Sequence, residues 1–296
     1  MPNHSLLIAV YNESEYIIEL LDSIRSQPSS DLQILICDDG STDNTPQLIS
    51  SYQHNHPELD ITFIASPRNC GKNSAYNKIF KYATGSYISL IGGDDIITHY
   101  RFSTPLSLLT SRKPYTLAYQ PFNHKPLINH FLSPRTNSSC RCAPFSSPIH
   151  GGSIFLPYEI ASSIFPLPTS LPSEDWPISF YLFQHSIDIA SYPYPALLYR
   201  LHDSNDSASS GIKSLAKLKK AVNRQNIFLR YYLTLTSNPL TSLKLLYSIY
   251  SRKSALLPYP LFLLLSLFFL PLHLVFLPYN VHLIKLLLLR LFLPFR

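Results

Sequence analysis

The sequence predicts an α/β fold built on a mainly parallel central sheet. Three observations carry this. Short apolar runs recur along residues 1–100. Between them lie segments whose apolar residues return every three or four positions, the period of one helix face. The polar, chemistry-bearing residues cluster directly after the runs. Strands alternating with helices imply βαβ units, hence parallel pairing with right-handed crossovers.

The elements follow in order. SLLIAVY (5–11) reads as the first strand, and Tyr16, Ile17, Leu20, Leu21 and Ile24 as the buried face of a helix. LQILICD (32–38) is the second strand, closed by DGSTDNT. Leu48, Ile49 and Tyr52 mark a second helix, capped by Asp43, Asn44 or Thr45. ITFIA (61–65) is the third strand, and the loop SPRNCGKN leads into a helix over 73–83. YISLI (87–91) is the fourth strand and runs into Gly92-Gly93-Asp94-Asp95. Residues 96–145 show no clear period. Beyond them come a Gly151-Gly152 turn, the strand-like SIFLP, a helical SEDWPISFYLFQ, and a strand and loop in YPALLYRLHDSND (194–206). No internal repeat is visible.

Charge divides the chain. Residues 1–210 carry 12 Lys+Arg and all 18 Asp+Glu, whereas residues 211–296 carry 12 Lys+Arg and no acid. A basic half of this kind meets nucleic acid or an anionic membrane surface. Apolarity favours the membrane: residues 254–284 hold no Lys, Arg, Asp or Glu and include LFLLLSLFFLPLHLVFL (261–277), about the 20 apolar residues a bilayer needs. Pro258, Pro260, Pro271 and Pro278 argue against one straight helix. Lys and Arg on both flanks suit a hairpin or an interfacial element. A soluble apolar helical subdomain is the competing reading. Three parts are thus expected: a catalytic domain over 1–210, basic amphipathic helices over 211–253, and a membrane-associated segment over 254–296. The N-terminus lacks the basic region and the long apolar run of a signal peptide, so the first part is expected on the cytoplasmic face of the cell membrane. Cys37, Cys70, Cys140 and Cys142 suggest no disulfide framework, and one Cys-Arg-Cys pair falls short of a zinc site.

In parallel sheets ligands sit beyond the carboxyl ends of the strands. Here those ends hold Tyr11-Asn12-Glu13, Asp38-Asp39, Arg68 to Lys72, and Asp94-Asp95. Two adjacent carboxylates at a cleft call for a cation, and Mg²⁺ or Mn²⁺ suits carboxylate and phosphate oxygens. Gly92 and Gly93 would let the backbone turn and a ligand approach. A plain solvated turn is the alternative for these four residues alone. Asp39 could accept a hydrogen bond from a nucleobase imide and Tyr11 could stack on the base, although Asp-Gly and Ser-Thr-Asp-Asn are also common turn formers. Asn69, Gly71 and Lys72 before a helix suit a phosphate or an ordinary loop. Neither G-x-G-x-x-G nor G-x-x-x-x-G-K-[ST] occurs, which removes the main support for dinucleotide dehydrogenases and P-loop NTPases.

Taken together, AVYNE (9–13), ICDDGSTDNT (36–45), NCGKNSAYN (69–77), ATGSYI (83–88), GGDDI (92–96), SEDW (173–176) and YRLH (199–202) resemble a family 2 glycosyltransferase of the bacterial polysaccharide and lipopolysaccharide type, with the GT-A fold. The resemblance implies an inverting transferase. It would move a sugar from a nucleoside-diphosphate sugar to a hydroxyl of a membrane-linked glycan or glycolipid; Asp39 favours uridine, whose imide N–H an acid can pair with, although guanine offers one too. Ala9, Tyr11, Glu13, Asp38, Asp39, Lys72, Asp95 and Arg200 would line the nucleotide-sugar site. Asp94 and His202 would hold a divalent metal, Mn²⁺ or Mg²⁺. Asp175, with Glu174 as second choice, would be the general base. One departure stands out: Gly92 occupies the place of the first acid in the family's D-x-D. Two other readings remain, transfer to a polyprenyl phosphate and an inactive sugar-nucleotide-binding membrane adaptor. Nucleic acid is not an expected partner.

Overall fold

A computed structural model of the chain describes residues 3–27, 31–99, 101–102, 112–122, 149–201 and 215–237. The chain divides into two units, and the first ends at Leu201. Its sheet has eight strands in the order β3-β2-β1-β4-β7-β6-β8-β5. These are β1 (His4–Val10), β2 (Leu32–Asp38), β3 (Asp60–Ala65), β4 (Tyr87–Gly92), β5 (Ile96–Ile97), β6 (Tyr115–Phe122), β7 (Ile154–Pro157) and β8 (Ala190–Arg200).

β1, β2 and β4 are buried almost throughout, as continuous apolar runs covered on both faces must be. α1 (Ile17–Arg25) buries Ile17, Leu20, Leu21 and Ile24, the stripe that the sequence period predicts. α2 (Thr45–Asn55) starts at Asn44 and buries Ile49 and Tyr52. α3 (Lys72–Phe80) begins one residue before the expected helix and ends three residues short of it. α4 (Tyr158–Ile164) follows β7, and α5 (Asp175–Gln184) realises the SEDW helix.

The sheet is mixed, which corrects the expectation of a mainly parallel one. β1 pairs in parallel with β2 and β4, and β2 with β3. Beyond β4 the directions alternate: β7 lies antiparallel to β4 and β6, and β5 to β8, while β6 and β8 run parallel. Periodicity reports which face is buried, not strand direction. Moreover, β5 and β6 arise from residues 96–145, where no period was legible.

The order has one functional consequence. From β1 the chain moves outward through β2 to β3, then returns to place β4 on the other side of β1. Such a reversal opens a crevice at the carboxyl ends of the two strands. Tyr11 to Glu13 leave β1 there, and Asp94-Asp95 leave β4 there.

In the second unit the described element is α6 (Leu215–Leu235). Lys219, Lys220 and Arg230 are exposed, and Val222, Asn226 and Leu229 are buried at helical spacing. Among the described residues no helix is long and apolar enough to cross a membrane. The expected apolar segment 254–296 lies outside the described residues, as do Cys140 and Cys142.

Candidate active site

The loops after β1 and β2 clasp each other. The Asn12 and Glu13 N–H groups donate to Ser41 Oγ and Thr45 Oγ1, both at 2.8 Å, and Ser14 N–H donates to Asp43 Oδ2 at 3.1 Å. Thr42 N–H returns a bond to Asn12 Oδ1 at 2.8 Å. For Asp43, hydrogen bonds from Thr45 and Ser14 outweigh burial and hold the carboxyl down at about 2. The DGSTDNT turn is therefore a rigid wall of the crevice, and Tyr11 stands beside it 43% exposed.

Asp38 supports that turn by accepting from the Gly40 and Ser41 N–H groups at 3.1 and 3.0 Å. Asp39 is buried and accepts from Cys70 N–H at 3.0 Å and Gly71 N–H at 2.6 Å. It thus ties the β2 turn to the loop before α3. Ala9 is buried on β1, in register with Cys37 and Gly92.

At the end of β4 the two glycines make room for side chains. A Cβ on Gly92 would lie 2.6 Å from Asp94 Oδ1. One on Gly93 would lie 2.7 Å from Val10 Cγ1 and 3.0 Å from Glu13 Cγ. Asp94 is half-buried. Asp95 is buried, and its Oδ1 accepts from Arg200 N–H at 3.1 Å. Burial first, then the neighbouring Asp94, pushes the Asp95 carboxyl well above the carboxylate range. Burial, then Asp94 and Asp43, pushes Glu13 up to about 8. Both carboxyls therefore favour the protonated form in the fold, and a hard divalent cation beside Asp94 would favour their charged forms instead. Among the described residues no group of three His, Cys, Asp or Glu converges as a ready metal cage. A cation at Asp94 would need other oxygens, as Mg²⁺ commonly takes from substrate phosphates and water. His202 lies outside the described residues.

Lys72 opens α3 and crosses to the start of α5, where its Nζ donates to Glu174 Oε1 at 3.1 Å. Glu174 is 4% exposed, whereas 40% of the Lys72 side chain remains open. Burial would raise the Glu174 carboxyl, but the Lys72 ammonium outweighs it and holds the group below its usual range. Asp175, the first residue of α5, is half-buried and accepts from Ser173 Oγ.

Arg200 ends β8, and its guanidinium is fully engaged. It pairs with Glu19, donates from Nε to Asp94 O at 2.8 Å, and lies 4.7 Å from the ring centres of both Tyr16 and Phe122. Arg200 was expected near the phosphates, and it stands beside Asp94 at the end of β4. The guanidinium fixes the β4 end against α1.

A profile of the family described as "Glycosyl transferase family 2" matches residues 5–131. Residues 5–131 are thus similar to family 2 glycosyltransferases. Chondroitin synthase of Escherichia coli is 38% identical over 97 residues, 33% of this chain and 14% of that protein. Poly-beta-1,6-N-acetyl-D-glucosamine synthase of Staphylococcus epidermidis is 37% identical over 93 residues, 31% of this chain and 22% of that protein. The chain thus spans less than a quarter of either relative. Among solved structures, S. aureus TarS 1–349 in complex with UDP-GlcNAc superposes with a TM-score of 0.59 at 16% identity, covering 85% of this chain and 72% of the other. Mannosyltransferase PcManGT from Pyrobaculum calidifontis, in complex with GDP-Man and Mn²⁺, gives 0.61 at 17% identity, covering 98% and 87%. These two likenesses show the GT-A-type fold.

The first unit also holds residues with no legible signal in the sequence. Arg101 is 0% exposed and donates from Nη1 to Gly152 O at 2.7 Å. His150 lies against Tyr119 and Tyr199. Glycine pairing at 151–152 was the one visible sign of this region. The reason for the pairing is spatial: a Cβ on Gly151 would fall 2.1 Å from Glu174 Oε1.

Proposed function

We propose that this chain is an inverting glycosyltransferase that moves a sugar from a nucleoside-diphosphate sugar, with UDP as the favoured carrier, to a hydroxyl of a membrane-linked glycan or glycolipid. The observation that carries the reading is the β1/β4 crevice, where Asp94 acts on Glu13 and on Lys72, itself paired with Glu174. UDP-GlcNAc, UDP and GDP-Man in structures of the same fold support a nucleotide-sugar donor.

Tyr11 offers an exposed ring for the base, and the Asp38–Asp39 turn a rigid edge for it. Lys72 supplies positive charge toward the diphosphate. Asp94, with His202, would hold Mn²⁺ or Mg²⁺, which when bound offsets charge on the departing diphosphate. Asp175 takes the proton of the acceptor hydroxyl as that oxygen attacks the anomeric carbon, and a single displacement inverts the configuration. Glu174 is less suited to this role, because its pairing with Lys72 lowers its basicity. The presence of Asp94 and Asp175 supports an active enzyme over an inert adaptor. For location we propose the cytoplasmic face of the cell membrane, with the acid-free residues 211–296 drawn to anionic lipid at about 1 kcal/mol per Lys or Arg near the surface.

The test is thermal unfolding of the full chain with UDP-, GDP-, CMP- and dTDP-sugars, with and without Mn²⁺. A ligand at 100 times its Kd adds about 2.7 kcal/mol. One nucleotide should stabilise in a Mn²⁺-dependent way that Asp94→Ala abolishes. Asp175→Asn should keep that shift and lose transfer to a hydroxyl. No shift with any nucleotide would sink the reading.

A further inference from the structure

Among the described residues several buried polar atoms around the Lys72–Glu174 pair have no hydrogen-bond partner: Asn73 Oδ1, Arg101 Nε and Nη2, and the two that matter here, Glu174 Oε2 and His150 Nδ1. Both belong to groups held rigid. Glu174 is fixed through its other oxygen by Lys72 at 3.1 Å and rests on Gly151, whose missing side chain allows the approach. The His150 ring is clamped by Tyr119, stacked at 4.3 Å between ring centres, and by Tyr199, edge-on at 4.6 Å. Its carbonyl accepts from both the Ser153 N–H and Oγ at 2.9 Å. Leaving such atoms unpaired in a folded interior is costly, and the few cases that persist call for a ligand, a water or a function. Here Glu174 and His150 lie close enough to act on each other electrostatically, and the Lys72 ammonium acts on both.

The chemistry of the pair is specific. A carboxylate oxygen accepts, and an imidazole nitrogen donates or accepts according to its tautomer. Burial, with Lys72 and Arg101 adding, pushes the His150 imidazole down to about 4, so the ring is neutral at neutral pH and both roles stay open. A donor and acceptor pair on rigid supports suits vicinal hydroxyls. The groups that act on His150 electrostatically, Glu174, Lys72, Arg101 and Asp94, include those assigned to the diphosphate end. A sugar attached to that diphosphate falls beside them.

We propose that His150, with Glu174, reads the hydroxyls of the transferred sugar ring, and that this pair sets which nucleotide sugar the enzyme accepts. The inference rests on the donor reading above. It separates binding of the sugar from binding of the nucleotide, which makes it testable on its own.

The experiment measures Kd for UDP and for the UDP-sugar that stabilises the wild type most, with Mn²⁺, on the full chain and on His150→Ala, His150→Asn and Glu174→Gln. The expected result is that His150→Ala weakens the UDP-sugar by about tenfold, the scale of one lost hydrogen bond, and leaves UDP unchanged. Asn, which keeps a polar atom near the Nδ1 position, should recover most of that loss. Glu174→Gln should likewise weaken the sugar nucleotide more than UDP. Unchanged UDP affinity also shows that each variant is folded. A His150→Ala protein that keeps the wild-type preference for UDP-sugar over UDP overturns the proposal while leaving the donor reading intact. Loss of UDP and UDP-sugar affinity to the same extent overturns it as well. A wild type that binds no nucleotide overturns the donor reading itself.

Discussion

Gly151→Ala tests the idea that the Gly151-Gly152 turn exists to admit Glu174. The added methyl would sit 2.1 Å from Glu174 Oε1, 3.0 Å from Cδ and 3.4 Å from Cγ. Glu174 is buried and paired, so it cannot swing freely into solvent. Either the turn shifts, against the Arg101 bond to Gly152 O, or the carboxylate leaves Lys72. Overpacking of this kind costs about 1–3 kcal/mol. In a domain of this size that lowers Tm by roughly 2–12 °C. The assay is a double-mutant cycle by thermal or urea unfolding with Gly151→Ala, Glu174→Ala and the pair. Once Glu174 is cut back to Ala the clash has no partner, so Gly151→Ala should then cost little. A coupling of at least about 1 kcal/mol is expected for groups in direct contact. Strictly additive losses would refute the steric argument and return Gly151 to the status of an ordinary turn residue.

Gly92→Ala should weaken Mn²⁺-dependent stabilisation by nucleotide sugar while nucleotide alone in EDTA binds as before, because its Cβ would lie 2.6 Å from Asp94 Oδ1; retention of the full Mn²⁺ shift would count against Asp94 as a ligand. Arg200→Ala should destabilise by roughly 2–4 kcal/mol, read by urea unfolding, since it removes the Glu19 pair, the bond to Asp94 O and packing on Tyr16 and Phe122. Arg200→Lys should not restore this, for an ammonium lacks the planar fork that stacks and bonds at once. Between pH 6.5 and 4 two buried histidines should pull stability down, while Glu13 and Asp95, whose carboxyls sit above their usual range in the fold, should pull it up. Burial, then Arg101, pushes the His4 imidazole down to about 4, and burial does the same to His150. Both rings are neutral in the fold and take up a proton on unfolding, whereas the Glu13 and Asp95 carboxyls are protonated in the fold and release theirs, so the two pairs act with opposite sign. Each ring accounts for up to about 3 kcal/mol. His4→Gln should remove one ring's share, so that urea unfolding at pH 6.5 and at pH 4 shows the variant gaining stability relative to the wild type on acidification; an unchanged difference would refute the His4 contribution.

The amino-acid sequence by itself determined the first half of the domain and the addresses of its polar residues. Apolar runs such as LQILICD can be satisfied only as buried strands, and the 3–4 spacing of Ile17, Leu20, Leu21 and Ile24 only as a helix stripe, so local patterning was enough. The strand ends then located Glu13, Asp38, Asp39, Asp94 and Asp95 without any knowledge of contacts. What the tertiary structure decided is how these groups meet. The order β3-β2-β1-β4 brings Glu13 beside Gly93 and opens the crevice between two segments some eighty residues apart. Asp39 is committed to the Cys70 and Gly71 N–H groups, and Arg200 to Glu19 and two rings, bonds between residues whose separation along the chain leaves no local trace. Lys72 reaches Glu174 across 102 positions. Directions of β5 to β8 were hidden for the same reason: pairing partners are chosen by long-range packing, while periodicity records only which face each residue turns to the core.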